Sequence, residues 1–292
     1  MDGTSRHAIV EVRFGPSRGQ KLAIAPGGAA RVGRTERADL VVPRDATLAG
    51  VHFEVAWDGA RCTVTSVKDG TYEPLRDAMP DAGVTLVNGV RTAKAEIASG
   101  SFLRAGNTIF MVYLEGETPP PREKPGEGAP HPARETALEE LRLAAAPLHA
   151  VLDGACHPRI LQLLRESVEP HLSLYDGVRG DALAETAPYL VRLPARSRLL
   201  EALVLEGFGK RWGIFVTSRA SMVDLRRHLR RFLLVLDDET NEKVYFRFFD
   251  PRVLGDFLDT ATARQRALLF AEIERISFET PDDALASREA AA

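Results

Sequence analysis

The stretch RVGRTERADLVVPRDATLAGVHFEV, residues 31–55, holds an arginine in a glycine-led turn, a short apolar run, a polar loop and a histidine in a strand-like segment. Short apolar segments surround it, and glycine-containing turns separate them. In IVEVRF (9–14), alternation places Val10, Val12 and Phe14 on one face of a strand. Many short strands with frequent turns are typical of a β-sandwich, which we predict over residues 1–115.

The composition changes after this region. Residues 115–134 contain six prolines and three glycines and have almost nothing to bury, so 116–134 is predicted to be an extended linker. Within the sandwich, 68–82 is a longer segment that we expect to be a loop insertion. Residues 135–280 mix helical and strand patterns and are predicted to form an α+β domain. We expect a flexible tail over 281–292.

Several elements of the second domain have clear local signals. Ser221 resembles a helix N-cap, and an apolar stripe follows it at helical spacing. The segment around 232–251 has the pattern of a β-hairpin, with alternation continuing through 245–248. Asp250 and Pro251 have the residue types of a helix cap and first turn.

The overall composition excludes several classes of protein. The 292 residues carry a formal net charge of -3, so no global charge favours nucleic acid or an anionic membrane. Neither a signal peptide nor a membrane span is visible. Only two cysteines occur, at 62 and 156, which fits a cytoplasmic location better than a disulfide framework.

The motifs VGRT, DLVVP, VHFEV, VTLVNG and GNTIFMV resemble those of forkhead-associated domains, over residues 8 to about 115. The family's Gly-Arg pair matches Gly33–Arg34, and its Ser-x-x-His motif falls on Ala49–His52. Its second turn, Asn-Gly-Thr followed by Val-Asn-Gly, falls on Gly83–Thr85 and Val87–Gly89. The resemblance implies a β-sandwich whose loops bind phosphothreonine peptides.

Two groups that contact the peptide in that family are missing here. Arg34 supplies the planar charged donor that suits a phosphate. Ala49, however, stands in place of a serine hydroxyl, and Gly83 in place of an asparagine that holds the peptide backbone. The predicted phosphopeptide site is therefore incomplete. Each lost hydrogen bond to a charged group is expected to weaken binding by about 1.5–3 kcal/mol.

Two hypotheses therefore stay open for the first domain. In one, it binds a phosphorylated protein through Arg34 with a substitute hydroxyl, for which Thr47 is the candidate. In the other, it is a protein-docking module without phosphate dependence. The resemblance implies that His52 and Asn88 mainly fix loops within the domain.

The second domain lacks enzyme signatures. The glycines of GFGKRWG (207–213) have the wrong spacing for a dinucleotide turn. Cys156 and His157 are sequence neighbours, which does not suit a nucleophile and its base. The histidines lack metal-ligand spacing. We expect no enzymatic activity, no metal and no cofactor.

One basic cluster allows two interpretations. Arg226, Arg227, Arg230 and Arg231 share a predicted helix, on the face opposite its apolar stripe. They could contact nucleic acid or an acidic protein surface. Alternatively, they form a solvated helix face paired with nearby carboxylates. The domain has no interleaved exposed aromatics that would stack on bases, and we expect no nucleic-acid partner.

The motifs HAVLDGACHPRILQLL, SLYDG, APYLVRL and YFRFFDPRVL resemble the effector chaperone or adaptor domain of type VI secretion, over about 147–280. That family was long described only as a domain of unknown function. The resemblance implies a cytoplasmic, non-catalytic protein that binds a toxic effector and helps load it onto the spike protein VgrG. No membrane contact is implied.

The most specific part of this resemblance is the block Arg247–Arg252. Within it, Arg247, Asp250 and Arg252 either contact the effector or pair with each other and cap a helix. Both interpretations stay open. Together the two resemblances predict a two-domain adaptor, and the alternative is a phosphothreonine-dependent regulator of the secretion system.

Overall fold

The computed structural model describes residues 6–67, 84–120, 133–176, 183–236, 241–282 and 284–290. The chain divides into two compact units, Met1–Pro119 with Arg165–Val168 and Pro120–Leu164 with Glu169–Ala292. The predicted loop insertion, Gly83 and residues 121–132 of the predicted linker lie outside the described residues.

The first unit contains eleven described strands. They are β1 Ala8–Phe14, β2 Lys21–Ile24, β3 Gly28–Gly33, β4 Leu40–Val41, β5 Phe53–Trp57, β6 Cys62–Ser66, β7 Thr85–Val87, β8 Val90–Arg91, β9 Lys94–Ile97, β10 Phe102–Ala105 and β11 Thr108–Leu114. Two sheets form, with strand orders β2-β1-β11-β10-β7-β8 and β4-β3-β5-β6-β9. Every pairing is antiparallel except that of β3 with β4.

The core of this unit lies between the two sheets, as strand alternation predicts. On β5, Phe53, Val55 and Trp57 are buried, and the residues between them are half-buried. Phe53 packs edge-on against Phe110 of the other sheet, with ring centroids 5.2 Å apart. The predicted all-β sandwich is confirmed. The predicted position of Phe14 is wrong, because the pairing register shifts between Val12 and Phe14 and turns this ring to solvent.

The second unit alternates helices and strands. Its elements are α1 Ala133–Arg142, β12 Leu148–Asp153, α2 Pro158–Arg165, β13 His171–Ser173, β14 Pro188–Leu193, α3 Arg198–Gly207, β15 Gly213–Thr217, α4 Met222–Arg230, β16 Leu234–Leu236, β17 Lys243–Tyr245, α5 Pro251–Thr260, α6 Ala263–Leu269, β18 Arg275–Glu279 and β19 Leu285–Glu289. Six strands form one sheet in the order β13-β14-β12-β15-β18-β19. The predicted mixture of helices and strands is confirmed.

Helices cover both faces of this sheet. Apolar residues of α1, α2 and α3 pack with Leu148, Ala150 and Leu152 in one cluster. Residues of α4, α5 and α6 pack with Val151 and Ile214 in the cluster on the other face. Strand β12 is consequently buried along its whole length, as expected for a strand covered on both sides.

The local signals of this unit are confirmed where they were strongest. The Ser221 hydroxyl accepts the Asp224 N–H and caps α4, whose Leu225 and Leu229 are fully buried. The Asp250 side chain accepts the Arg252 N–H and caps α5, with Pro251 in its first turn. Strands β16 and β17 form the predicted hairpin, although the strand ends at Tyr245 rather than at 248.

The predicted flexible tail is wrong for residues 285–289. These residues form β19, which pairs with β18 through five residue pairs at the edge of the sheet. Arg275 and Glu289 form an ion pair of 2.8 Å across the two strands. The sequence LASRE has no strong strand pattern, so its conformation depends on the backbone hydrogen bonds that the β18 edge offers.

Candidate functional site

Arg34 lies where β3 leaves the sandwich, against the loop between β4 and β5. A side chain at Gly33 would lie 2.2 Å from the Gly50 carbonyl oxygen, so glycine permits the close approach of the two segments. The Arg34 N–H donates to the Ala49 carbonyl at 2.9 Å. Its Nε donates to the Leu48 carbonyl at 3.1 Å. The half-buried guanidinium is thus held by one edge, and its two Nη nitrogens have no partner among the described residues.

Thr47 is not a substitute phosphate donor, which corrects the prediction made from the sequence. The side chain is 6% exposed, and its hydroxyl donates to the Asp45 carboxylate. The Thr47 N–H donates to the same carboxylate at 3.0 Å. A threonine hydroxyl can donate one hydrogen bond, and here that bond goes to the internal carboxylate of Asp45.

Asp45 is a buried node that sequence reasoning missed. Besides Thr47, its carboxylate accepts the Asn107 N–H at 3.0 Å and the Thr108 hydroxyl at 2.6 Å. These bonds join the β4–β5 loop to the β10–β11 turn. Gly106 of that turn has φ +58°, and a Cβ there would lie 2.3 Å from the Thr47 hydroxyl. Nothing in the residues next to Asp45 and Thr47 indicates that Asn107 and Thr108, about sixty positions later, are their partners.

His52 fixes the same β4–β5 loop from a buried position. It is 1% exposed, and its Nδ1 accepts the Ala49 N–H at 3.1 Å, which places the ring proton on Nε2. Burial lowers the pKa of His52, although the Val84 backbone and the Asp45 charge act to raise it. The ring is therefore neutral and structural. Ala49 itself is buried and offers no side-chain donor.

Asn88 also holds loop structure. Asn88 and Gly89 have φ angles of 48° and 85°, as in the type I′ turn of a two-residue hairpin, here between β7 and β8. The Asn88 side-chain oxygen accepts the Phe102 N–H at 3.0 Å. Arg34, Thr47 and His52 thus come together around the β4–β5 loop, with Arg34 as the half-buried cation among them. Asn88, beside Phe102, lies at the other end of β7 and β10 from the β10–β11 turn that Thr47 contacts.

In the second unit, the Arg247–Arg252 block divides between core and surface. Phe248 and Phe249 are fully buried in the core that covers one face of the sheet. Arg247 forms an ion pair with Asp153, which lies buried at the end of β12. The hydrogen bond that Arg247 donates to this carboxylate raises the pKa of Arg247, against a smaller opposing effect of burial. The Arg247 side chain is still 46% exposed.

Asp250 and Arg252 form the second pair of the block. The Arg252 guanidinium contacts the Asp250 carboxylate at 2.8 Å and 3.2 Å. Burial acts to raise the pKa of Asp250, but hydrogen bonds from Arg252 outweigh it and hold this pKa below its usual value. Arg247, Asp250 and Arg252 thus have structural partners within the unit, and the two arginines keep exposed surface.

An exposed apolar hairpin borders this block. We call Leu234, Leu236 and Tyr245, which share one face of the hairpin, the hairpin patch; their exposed fractions are 60%, 56% and 43%, and Val244 on the other face is 40% exposed. The Tyr245 hydroxyl contacts that of Tyr175 at 2.8 Å. Burial, followed by this hydrogen bond, raises the pKa of Tyr245. The sequence predicted the hairpin but not its exposure, because apolar strand residues are usually buried.

The other candidates have ordinary contacts. Arg226 and Arg230 both pair with Asp176, at 3.6 Å and 2.7 Å, and Arg227 pairs with Asp224 at 2.7 Å. This is the carboxylate pairing that the second interpretation of the basic helix predicted. The Cys156 thiol donates to backbone carbonyls at 210 and 211, and burial raises the pKa of this thiol.

The His157 ring stacks on the Trp212 ring. Across the described ranges, no three His, Cys, Asp or Glu side chains group as a metal ion would require. Nor does any helix of the described chain have the length and apolarity needed to cross a membrane.

The two units are similar to different groups of known proteins. Residues 148–268 match the family model described as "Domain of unknown function (DUF4123)". No curated protein matches the chain. Three similar solved structures are forkhead-associated domains. One was analysed for phosphothreonine-dependent interactions (19% identity, 37% of this chain and 95% of that chain, TM-score 0.30). One is from Chlamydia trachomatis (14%, 37% and 96%, TM-score 0.30). One is from an Arabidopsis thaliana hypothetical protein (18%, 41% and 92%, TM-score 0.31). The chain therefore joins a β-sandwich similar to forkhead-associated domains to a segment that matches the DUF4123 family.

Proposed function

We propose that the protein is a non-catalytic, cytoplasmic adaptor that binds a type VI secretion effector and assists its loading onto the VgrG spike. The proposal rests on the motifs of the second unit that resemble effector chaperones. The match of residues 148–268 to a domain of unknown function supports it, because the resembled family was long described in those words. The first unit is the second protein-docking module of this adaptor.

The hairpin patch is the observation that carries the proposal. A two-stranded hairpin with three residue pairs is marginally stable alone in water, yet here it exposes four large apolar side chains. Exposed apolar clusters of this kind mark protein-binding sites. Arg247 and Tyr175 border the patch, and arginine and tyrosine are enriched among residues that dominate binding energy. We assign the effector to this surface.

Co-expression tests this assignment. The full chain is tagged and co-expressed with any toxin-like protein that is found encoded beside it, and co-purification is measured. Leu236→Asp should abolish capture of the effector, because it places a charge in the apolar contact. Leu268→Asp is the matched control, since Leu268 of α6 has the same exposed fraction of 56% and lies outside the patch.

Two outcomes would oppose the proposal. If no such protein co-purifies with the unaltered chain, the adaptor function fails. If the effector binds the Leu236 and Leu268 variants equally, the adaptor function stands but the assigned surface is wrong. A phosphothreonine-dependent regulator, the alternative, would need several phosphate donors near Arg34, and the donors of Thr47 are already engaged by Asp45.

A further inference from the structure

Several hydrogen-bond donors of the described loop residues beside Arg34 are engaged within the first unit. The N–H and hydroxyl of Thr47 donate to the Asp45 side chain, and the Leu48 N–H donates to the Asp45 carbonyl at 3.1 Å. The Ala49 N–H donates to His52. The hydroxyl and N–H of Thr35, next to Arg34, both donate to the Gly50 carbonyl.

Of the residues just described, Arg34 alone keeps donors free for a phosphate, through its two Nη nitrogens. A phosphorylated threonine brings about two negative charges and three acceptor oxygens, and its tight recognition requires several donors. A carboxylate brings one charge and two oxygens in a plane. The two Nη nitrogens of one guanidinium satisfy both oxygens in a bidentate pair. Since the Leu48 carbonyl fixes the Nε edge, this fork is pre-oriented.

The charge around Arg34 also favours an anionic partner. Arg44, at the start of the β4–β5 loop, is exposed and has no hydrogen-bond or ion-pair partner among the described residues. Asp45 is buried and engaged by its four donors. Glu36 is exposed but forms no ion pair with Arg34 in the described structure. Arg44 and the Nη edge of the half-buried Arg34 are thus cationic groups without a partner among the described residues.

We infer that this end of the sandwich docks an acidic, unphosphorylated segment of a partner protein, whose Asp or Glu carboxylate binds the Arg34 fork. The inference rests on the proposed docking role of the first unit and specifies the chemistry of its partner. Arg44 contributes long-range attraction, so binding weakens as ionic strength rises.

Fluorescence anisotropy on the full chain tests the inference. The probes are three labelled pools of twelve-residue peptides with mixed flanking residues and a central Glu, Gln or phosphothreonine. The Glu pool should bind about tenfold or more tightly than the Gln pool, as expected for a hydrogen bond to a charged group. The phosphothreonine pool should bind within about threefold of the Glu pool, because the donors of Thr35, Thr47, Leu48 and Ala49 are engaged and do not reach its extra oxygens.

Matched variants localise the effect. Arg34→Gln should reduce binding of the Glu pool to that of the Gln pool. Arg61→Gln should leave it unchanged, since Arg61 is an exposed arginine beyond the far end of β5. Arg34→Lys keeps the charge but loses the fork, and should bind at an intermediate level. In a Trp212→Phe background, Trp57 fluorescence verifies that the first unit of each variant is folded.

The contrary results are distinct. Phosphothreonine binding more than tenfold tighter than Glu binding, lost in Arg34→Gln, would overturn the inference in favour of a phosphopeptide site. Absence of binding to all pools, or binding that Arg34→Gln leaves intact, would also overturn it. None of these results bears on effector capture by the second unit, which the Leu236 and Leu268 variants report.

Discussion

Replacing Asp45 by alanine should destabilise the first unit strongly, although Asp45 lies in a loop. The side chain is 2% exposed and accepts four hydrogen bonds. After its removal the Asn107 N–H still reaches the Thr47 hydroxyl, at 2.9 Å. The Thr47 N–H and the buried hydroxyls of Thr47 and Thr108 lose their acceptor. At about 1–3 kcal/mol for each buried donor left unpaired, and with some water entering the loop, the loss is about 2–4 kcal/mol.

Urea unfolding measures this loss, because each unit contains one of the two tryptophans. In a Trp212→Phe background, Trp57 reports the first unit alone. A loss of this size should lower the urea midpoint by about 1–2 M for a typical dependence of unfolding free energy on urea. Asp39→Ala is the control, since Asp39 is exposed and accepts one backbone N–H, and should change stability by about 0.5 kcal/mol. Equal midpoints for the Asp45 and Asp39 variants would refute the description of Asp45 as the node of this loop.

Three further predictions concern the second unit and use Trp212, in a Trp57→Phe background, as the reporter of unfolding. Phe248→Ala should cost about 3–5 kcal/mol, since the ring is fully buried; a loss below about 1 kcal/mol would contradict its place in the core. Asp250→Ala should cost about 1 kcal/mol by removing the cap of α5, and an unchanged midpoint would contradict the capping role. Burial lowers the pKa of His228 below 6.5, although its contact with the Leu269 backbone opposes this, so the folded state binds fewer protons than the unfolded state. Stability should therefore be full above pH 6.5 and fall as the pH drops below it, and His228→Gln should reduce that dependence; an identical pH dependence in the variant would contradict it.

The parts of the fold that the sequence predicted are those fixed by neighbouring residues. Ser221 and Asp250 cap helices through contacts two or three residues away, so their residue types alone indicate the helix starts. The type I′ turn at Asn88–Gly89 is likewise a local property of two residues that tolerate positive φ. Strand alternation predicted the sandwich core for the same reason.

The features that were predicted wrongly, or were not predicted, depend on residues distant in sequence. The Thr47 hydroxyl was expected to be available to a ligand. The fold instead brings Asp45, Asn107 and Thr108 together, and the hydroxyl donates to Asp45 and accepts from the Asn107 N–H. Residues 285–289 form a strand because β18 presents an unpaired edge, which no pattern in LASRE indicates. Exposure of the hairpin patch depends on which faces the sheet and helices leave uncovered, and periodicity does not encode that.

We propose that the β16–β17 hairpin is where the second unit binds its effector, and hydrogen–deuterium exchange on the full chain, alone and with a co-purified effector, can locate that surface. We expect exchange to slow at the backbone amides of Leu234–Leu236 and Lys243–Tyr245 when the effector is bound, and to stay unchanged across α6. Unchanged exchange at the hairpin, with protection elsewhere on the second unit, would contradict it.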